Sequence, residues 1–150
     1  MSDLDQLMAV MEAAFDPHWR EAWTRSQVEN SLAMPNTYAL LCDADGHPLE
    51  DGRKAAGFVL VRRAPGEEEL LLVAVHPDLR RKGLGRCLLE LFFAQARSHG
   101  AERVFLEMRS NNPAQNLYES VGFNPIGRRP AYYRTATGEA LDAITFGKNL

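Results

Sequence analysis

Leu4, Leu7, Met8, Met11, Ala14 and Phe15 recur at helical spacing, so the chain opens on an amphipathic helix with one face turned to a core. Ser2 and Asp5 stand as a capping box at its start, and Asp16-Pro17 ends it. A second short helix begins at Thr24 or Ser26, the latter with Glu29 three residues on, and Pro35 stops it. Strand-like runs follow at Thr37–Cys42, Ala55–Arg63 and Leu70–Val75, separated by Asp45-Gly46 and Pro65-Gly66 turn chemistry. They predict an antiparallel meander, with Glu67-Glu68-Glu69 as a solvated turn. From about Leu84 to Ser98 the helical period returns, with Leu84, Cys87, Leu88, Leu91 and Phe92 on one face and Gly100 as the stop. Arg103–Met108 reads as a buried strand. A strand, a crossover helix and a strand of these lengths imply a parallel pair. Asn111–Val121 predicts a further short helix ended by Gly122. Two last strands, Ile126–Arg134 and Ala140–Gly147, flank a Thr137-Gly138 turn. The expected fold is α/β of the α+β kind, a single domain over 1–150. Its mixed, mostly antiparallel sheet has a central parallel pair and is flanked by helices.

Composition narrows the classes. A formal net charge of -3 excludes a globally basic nucleic-acid binder, and no apolar run is long enough to span a bilayer. The acidic, amphipathic N-terminus argues against a secretory signal. Cys42 and Cys87 fall on predicted core faces, so they read as buried apolar residues in a reducing cytoplasm, without a disulfide framework. The histidines are scattered and lack metal-ligand spacing with a cysteine, so no metal is expected. Trp19 and Trp23 read as core residues in preference to lining a groove.

The chemistry concentrates at Val73-Ala74-Val75-His76-Pro77-Asp78-Leu79-Arg80-Arg81-Lys82-Gly83-Leu84-Gly85-Arg86. An apolar strand runs into a short basic loop that opens a helix. Such a junction points several backbone N–H groups at one spot beside the positive end of the helix dipole, the chemistry of a phosphate cradle. Gly83 and Gly85 would let the backbone approach a pyrophosphate, and Arg80, Arg81, Lys82 and Arg86 surround it with charge. The segment lacks the Gly-x-x-x-x-Gly-Lys-[Ser/Thr] of a P-loop. It also lacks the third glycine of a dinucleotide fingerprint, where Leu88 stands.

A second constellation stands downstream, from Glu107-Met108-Arg109-Ser110-Asn111-Asn112-Pro113-Ala114 through Leu117-Tyr118-Glu119 to Gly122-Phe123. The pairing of Arg-Arg-Lys-Gly-Leu-Gly with Asn-x-Pro-Ala-x-x-Leu-Tyr-Glu-x-x-Gly-Phe strongly resembles the GCN-five-related N-acetyltransferase superfamily, over roughly Leu70 to Phe123. Within it, Leu106 to Asn111 and the tail Arg129-Pro130-Ala131-Tyr132-Tyr133 with Asp142-Ala143 are most similar to RimI-type ribosomal-protein alanine N-acetyltransferases. The resemblance implies acetyl-CoA as donor, with the parallel pair splayed around it. It puts the pantetheine beside Val73-Ala74-Val75 and the pyrophosphate on the N–H groups of Arg81, Lys82, Gly83, Leu84, Gly85 and Arg86. Asn111 matches the asparagine that contacts the cofactor arm. The implied acceptor is the N-terminal alanine of a ribosomal protein, with no direct nucleic-acid or membrane partner. A small-molecule amine is the alternative acceptor, and a non-catalytic acyl-CoA sensor the alternative role. Two features depart from the family. The chain starts at the first helix, leaving the usual first strand missing or vestigial. Glu107 also precedes Asn111 by four residues instead of five, which leaves Asn112 as the alternative contact.

Acetylating an amine needs a neutral nucleophile, stabilisation of an oxyanion and a proton for the leaving thiolate. Because an α-amine titrates near about 8, a base is useful at neutral pH. Glu107, ending a buried strand, could be that base, its pKa raised by burial; equally it could be an exposed carboxylate or a partner of Arg109. The resemblance favours the base, and Glu69 is the runner-up. Tyr118 reads as a packing residue on spacing alone; the resemblance makes it the proton donor to sulfur. A backbone N–H near Val75 is the expected oxyanion donor. Transfer is expected to be direct, in a ternary complex, because buried Cys42 and Cys87 make poor nucleophiles. Arg128, Arg129, Tyr132 and Tyr133 either orient a peptide or pack a hairpin. Asp142 either binds a cationic N-terminus or bonds nearby backbone, and His76 precedes a turn.

Overall fold

The computed structural model describes residues 1–150. Helices α1 (Asp3–Ala14) and α2 (Arg25–Leu32) precede strands β1 (Thr37–Cys42), β2 (Gly57–Ala64) and β3 (Glu67–Val75). Helix α3 (Leu84–Ser98), strand β4 (Arg103–Arg109), helix α4 (Gln115–Ser120) and strands β5 (Asn124–Arg134) and β6 (Ala140–Asn149) complete the chain. The strands form one sheet in the order β1-β2-β3-β4-β6-β5. Only β3 and β4 run parallel, joined by α3 as the crossover. The expected mixed sheet with a central parallel pair is therefore present. No helix is long and apolar enough to cross a membrane.

Each sheet face carries its own apolar layer. Leu7, Val10, Met11 and Val28 of α1 and α2 pack on Phe58 and Leu60, while Leu88, Leu89, Phe92 and Phe93 of α3 pack on Val59, Val61, Val104 and Phe146. Strand β2 thus feeds both layers, which is why its sequence runs continuously apolar instead of alternating with polar residues.

Local chemistry sets the boundaries. Ser2 and Asp5 form the expected capping box, but α2 is capped by Thr24 with Gln27 reciprocating, not by Ser26 with Glu29. Glu29 instead pairs with Arg25 at 3.2 Å. Helix α4 starts four residues later than the expected Asn111. The Asn112 side-chain oxygen accepts the Ala114 N–H at 2.9 Å, a local turn that competes with helix, and Pro113 disfavours helical geometry at Asn112.

The Glu67-Glu68-Glu69 turn is corrected to the start of β3, paired with Ala64, Arg63 and Arg62. Glu68 is only 1% exposed. Its carboxylate accepts from the Tyr38 hydroxyl and lies 2.8 Å from His99 Nδ1, with Arg63 3.8 Å away. Burial first, and then the bonded Glu68, push the Tyr38 phenol far above its usual range. The network fastens the end of α3 to β1 and β3. Glu68→Ala orphans two donors and is expected to cost about 1–3 kcal/mol, read as a lower denaturation midpoint.

Candidate active site

The parallel ladder between β3 and β4 stops at Leu70 and Leu106. Beyond it β3 shifts register against β2, where Leu60 faces Leu72 but Val61 faces Leu70, so Leu71 is the extra residue of a bulge. Consecutive Leu71 and Leu72 accordingly join the same apolar layer. The bulge turns Leu72–Val75 away from Glu107–Arg109 and opens a cleft of about 540 Å³ lined by both strands. The His76 N–H donates to the Ala56 carbonyl at 2.8 Å. Antiparallel alternation then turns the backbone of Ala74 toward β2 and leaves Val73 and Val75 facing the gap. These unpaired strand-edge groups are what the cleft offers an extended ligand.

Gly57 holds this strand close to α3. A Cβ there would lie 2.7 Å from the Ala74 carbonyl oxygen and 2.8 Å from Leu88 Cδ1. Gly57→Ala is expected to cost about 1–3 kcal/mol through overpacking, checked by thermal denaturation.

The loop after β3 is shaped by its caps. Asp78 N–H donates to His76 Nδ1 at 3.2 Å, and the Arg80 guanidinium donates to the Ala14 carbonyl at 2.8 Å, tying the loop to α1. Arg80 is thus structural. Arg81 and Gly83 take the left-handed conformation, φ 65° and 79°. Helix α3 has no side-chain cap, so the N–H groups of its first turn, Leu84, Gly85 and Arg86, remain open next to the dipole's positive end. The two glycines differ in purpose. Gly83 supplies backbone geometry with open space around it, whereas a Cβ on Gly85 would lie 2.9 Å from Leu117 Cδ2, so Gly85 lets α3 approach α4. Arg81, Lys82 and Arg86 are exposed around this spot, and none forms a salt bridge.

Val73, Ala74, Val75, Arg81, Leu84 and Gly85 line the cleft together with Glu107 and Tyr118, whereas Lys82, Gly83 and Arg86, their neighbours in the chain, do not. Glu107 points away from the layer of Leu106 and Met108, toward the side of α1 and α2. Its carboxylate is 19% exposed, lies 3.2 Å from Arg129 Nε and accepts a long bond from Thr145 Oγ1 at 3.4 Å. Arg109, the alternative partner for Glu107, pairs instead with Glu21 and Asn111. Tyr118 packs edge-on to Phe123 and lines the cleft; no hydrogen bond joins its hydroxyl to another protein group, and since no fully buried polar side-chain atom is left unpaired, the hydroxyl reaches the cleft surface. Burial first, then the negative charge of Glu21, push its phenol well above the usual range, so the hydroxyl keeps its proton and is a donor. Tyr133 is pushed up to about 12 by burial, then by Glu107 and Glu21.

Asn112 lines the cleft, whereas the side-chain oxygen of Asn111 accepts from Arg109 Nη1 at 2.7 Å. Trp19, expected in the core, lines the cleft instead, with the Arg109 guanidinium 3.9 Å above its ring; Trp23 does pack in the α1–α2 layer. Asp142 accepts the Ala131 N–H at 2.8 Å and the Arg128 Nε–H at 2.7 Å, so it bonds its own hairpin. The backbone bond and then Arg128 hold its carboxyl below the usual range. The Cys42 thiol is pushed up to about 11, chiefly by burial, and neither cysteine lines the cleft. Sequence reasoning missed Glu21. It lines the cleft through a bond with Arg109, 88 residues away, and no local pattern marks it.

A bulged strand splayed from its parallel neighbour, beside an uncapped helix start, defines the fold class of the N-acetyltransferases. Residues 5–123 match the Acetyltransferase (GNAT) family, and the chain belongs to it. The [ribosomal protein bS18]-alanine N-acetyltransferase of Escherichia coli (strain K12) is 40% identical over 97 residues, 64% of this chain and 65% of that protein. The enzyme of that name from Salmonella typhimurium is 43% identical over 95 residues, 63% of each chain. The chain therefore spans under two thirds of these curated relatives. The crystal structure of the ribosomal-protein-S18-alanine N-acetyltransferase from Escherichia coli superposes with a TM-score of 0.82 at 29% identity, covering 98% of this chain and 87% of that one. An aminoglycoside 6'-N-acetyltransferase complexed with coenzyme A shares the fold, with a TM-score of 0.74 at 17% identity over 97% of this chain and 89% of that one.

Proposed function

We propose that this protein is an acetyl-CoA-dependent N-acetyltransferase that acetylates the N-terminal alanine α-amine of a ribosomal protein, by direct transfer in a ternary complex. The observation that carries the reading is that Glu107 and Tyr118 line one cleft with the free edge of β3 and the open start of α3. The donor set fits acetyl-CoA. Val73 and Val75 offer a strand edge to an extended, amide-bearing arm, and the first-turn N–H groups of α3 with Arg81, Lys82, Gly83 and Arg86 offer a pyrophosphate seat. Asn112, which lines the cleft, is better disposed toward the arm than Asn111. The names of the relatives support the acceptor.

Acetyl-CoA supplies the acetyl thioester. Glu107 takes a proton from the acceptor amine, on the side of the sheet where Trp19 and Glu21 also face the cleft. A backbone N–H on the splayed edge, at Val73 or Val75, meets the negative charge that develops on the carbonyl oxygen. Tyr118 holds a proton at Oη for the departing sulfur. With neither cysteine in the cleft, no side chain is placed to carry the acetyl group. The cytoplasm suits a chain whose two cysteines are free.

The test is steady-state CoA release from acetyl-CoA with a short peptide beginning in free alanine, the same peptide with a blocked N-terminus, and a polyamine. Turnover on the free peptide alone is the expected result. Turnover on the polyamine alone would keep the donor reading and overturn the acceptor.

A further inference from the structure

We propose that Arg109 is a positioning residue for the acceptor: one buried guanidinium bolts the loop between α1 and α2 to the end of β4, and so fixes the wall the acceptor amine meets. The inference rests on the acetyltransferase reading above and adds a residue to it.

Arg109 is 7% exposed, and its charge is spent inside the protein. Nε donates to Glu21 Oε1 at 3.2 Å, Nη1 donates to Asn111 Oδ1 at 2.7 Å, and the plane stacks on Trp19 at 3.9 Å. Three chain segments thus meet on one side chain: the α1–α2 loop, the last residue of β4 and the turn that leads to α4. Such a planar fork with a stacking face is a job for arginine and not for lysine.

The two loops depend on it unequally. The turn after β4 has its own bonds: Ser110 N–H to the Asp142 carbonyl at 2.9 Å, Asn112 N–H to the Arg109 carbonyl at 3.1 Å, and the Asn112–Ala114 turn. The α1–α2 loop has mostly local bonds, with one tie to the β5–β6 hairpin, Ala136 N–H to the His18 carbonyl at 2.8 Å. Between Trp19 and Thr24, Trp23 packs in the α1–α2 layer, and the Arg109 bolt is the tie that joins Glu21 and the Trp19 indole to β4 in the cleft. Glu107 points to this same side of the sheet, whereas the uncapped helix start belongs to the α3 side. Loosening the loop therefore acts on the acceptor and spares the donor.

The test uses Arg109→Gln and Arg109→Lys in the full chain, read by kinetics and by amide hydrogen exchange. Arg109→Gln is expected to raise the acceptor KM about tenfold while the acetyl-CoA KM stays within about twofold. Exchange at residues 18–20, whose N–H groups bond within the loop, accelerates, and exchange in β2 does not change. Arg109→Lys keeps the charge opposite Glu21 but not the fork, and lands between the two. Glu21→Gln, which leaves a hydrogen-bonding oxygen for Arg109, keeps exchange at 18–20 near that of the unmodified protein. Unchanged exchange at 18–20 in Arg109→Gln, or a rise confined to the acetyl-CoA KM, overturns the proposal. If the unmodified protein acetylates no peptide, the peptide-acceptor reading fails on its own, and the exchange experiment still decides whether Arg109 holds the loop.

Discussion

Tyr118→Phe is expected to lower kcat by about 10²- to 10⁴-fold, the range for losing a positioned proton donor, while the fold and donor binding survive. The expectation rests on how little else the hydroxyl does. No protein group bonds it, so its removal orphans no partner, and the ring's packing against Phe123 is retained by phenylalanine. Burial and Glu21 hold the phenol in its protonated form, which is the form a leaving thiolate needs. Thermal denaturation should therefore change little while turnover collapses. The cleanest measurement is kcat with saturating donor and acceptor beside calorimetric binding of CoA. A loss under about threefold, with binding intact, would return Tyr118 to the role of a packing residue.

Much of this arrangement is legible in the sequence because it is local. Ser2 and Asp5 announce α1, and the change of hydrophobic period marks β1 and α3 at their observed ends. The basic Gly-containing loop marks the cradle for the same reason, since a strand running straight into an uncapped helix is a statement about neighbouring residues. Where the reading failed, the deciding partner lies far along the chain. Three consecutive glutamates look like a solvated turn until Tyr38 and His99, 30 and 31 residues away, close over Glu68. Trp19 looks like core until Arg109 stacks on it at the mouth of the cleft. Glu21 has no local signature at all. The late start of α4 is the exception, because the Asn112-Pro113 turn that delays it is itself a local signal.

The bulge at Leu71 shows how one residue converts a fold into a site. Had β3 kept its register, the parallel ladder could have run on past Leu70 and Leu106, with β4 satisfying the backbone of Val73 and Val75. The extra residue ends the pairing instead, and the unsatisfied edge becomes the binding surface. The energy left unrealised between β3 and β4 is offset along β2, where Phe58 and Leu60 are fully buried in one layer and Val59 and Val61 in the other. Gly57 contributes by letting α3 and β3 come close at the same level.

Glu107→Gln is the second large effect, and its pH dependence separates a base from a mere ion pair. At neutral pH an α-amine that titrates at about 8 is about nine-tenths protonated, which accounts for about tenfold; with the lost acceptance of the proton shed during acyl transfer, kcat/KM should fall by about 10²- to 10⁴-fold. Above that value the amine arrives neutral, and the deficit relative to the unmodified protein should shrink as pH rises from about 7 to about 9. If the carboxylate only anchors Arg129, which it meets at 3.2 Å, the deficit has no reason to depend on the amine's protonation. Arg129→Gln then serves as the control. It removes the same ion pair but leaves Glu107 and its Thr145 contact, so it should keep most of the activity and the unmodified pH profile. A Glu107→Gln deficit that is equal at both ends of the pH range, and matched by Arg129→Gln, would assign Glu107 to the hairpin's packing and leave the proton to be taken by water or by Glu21.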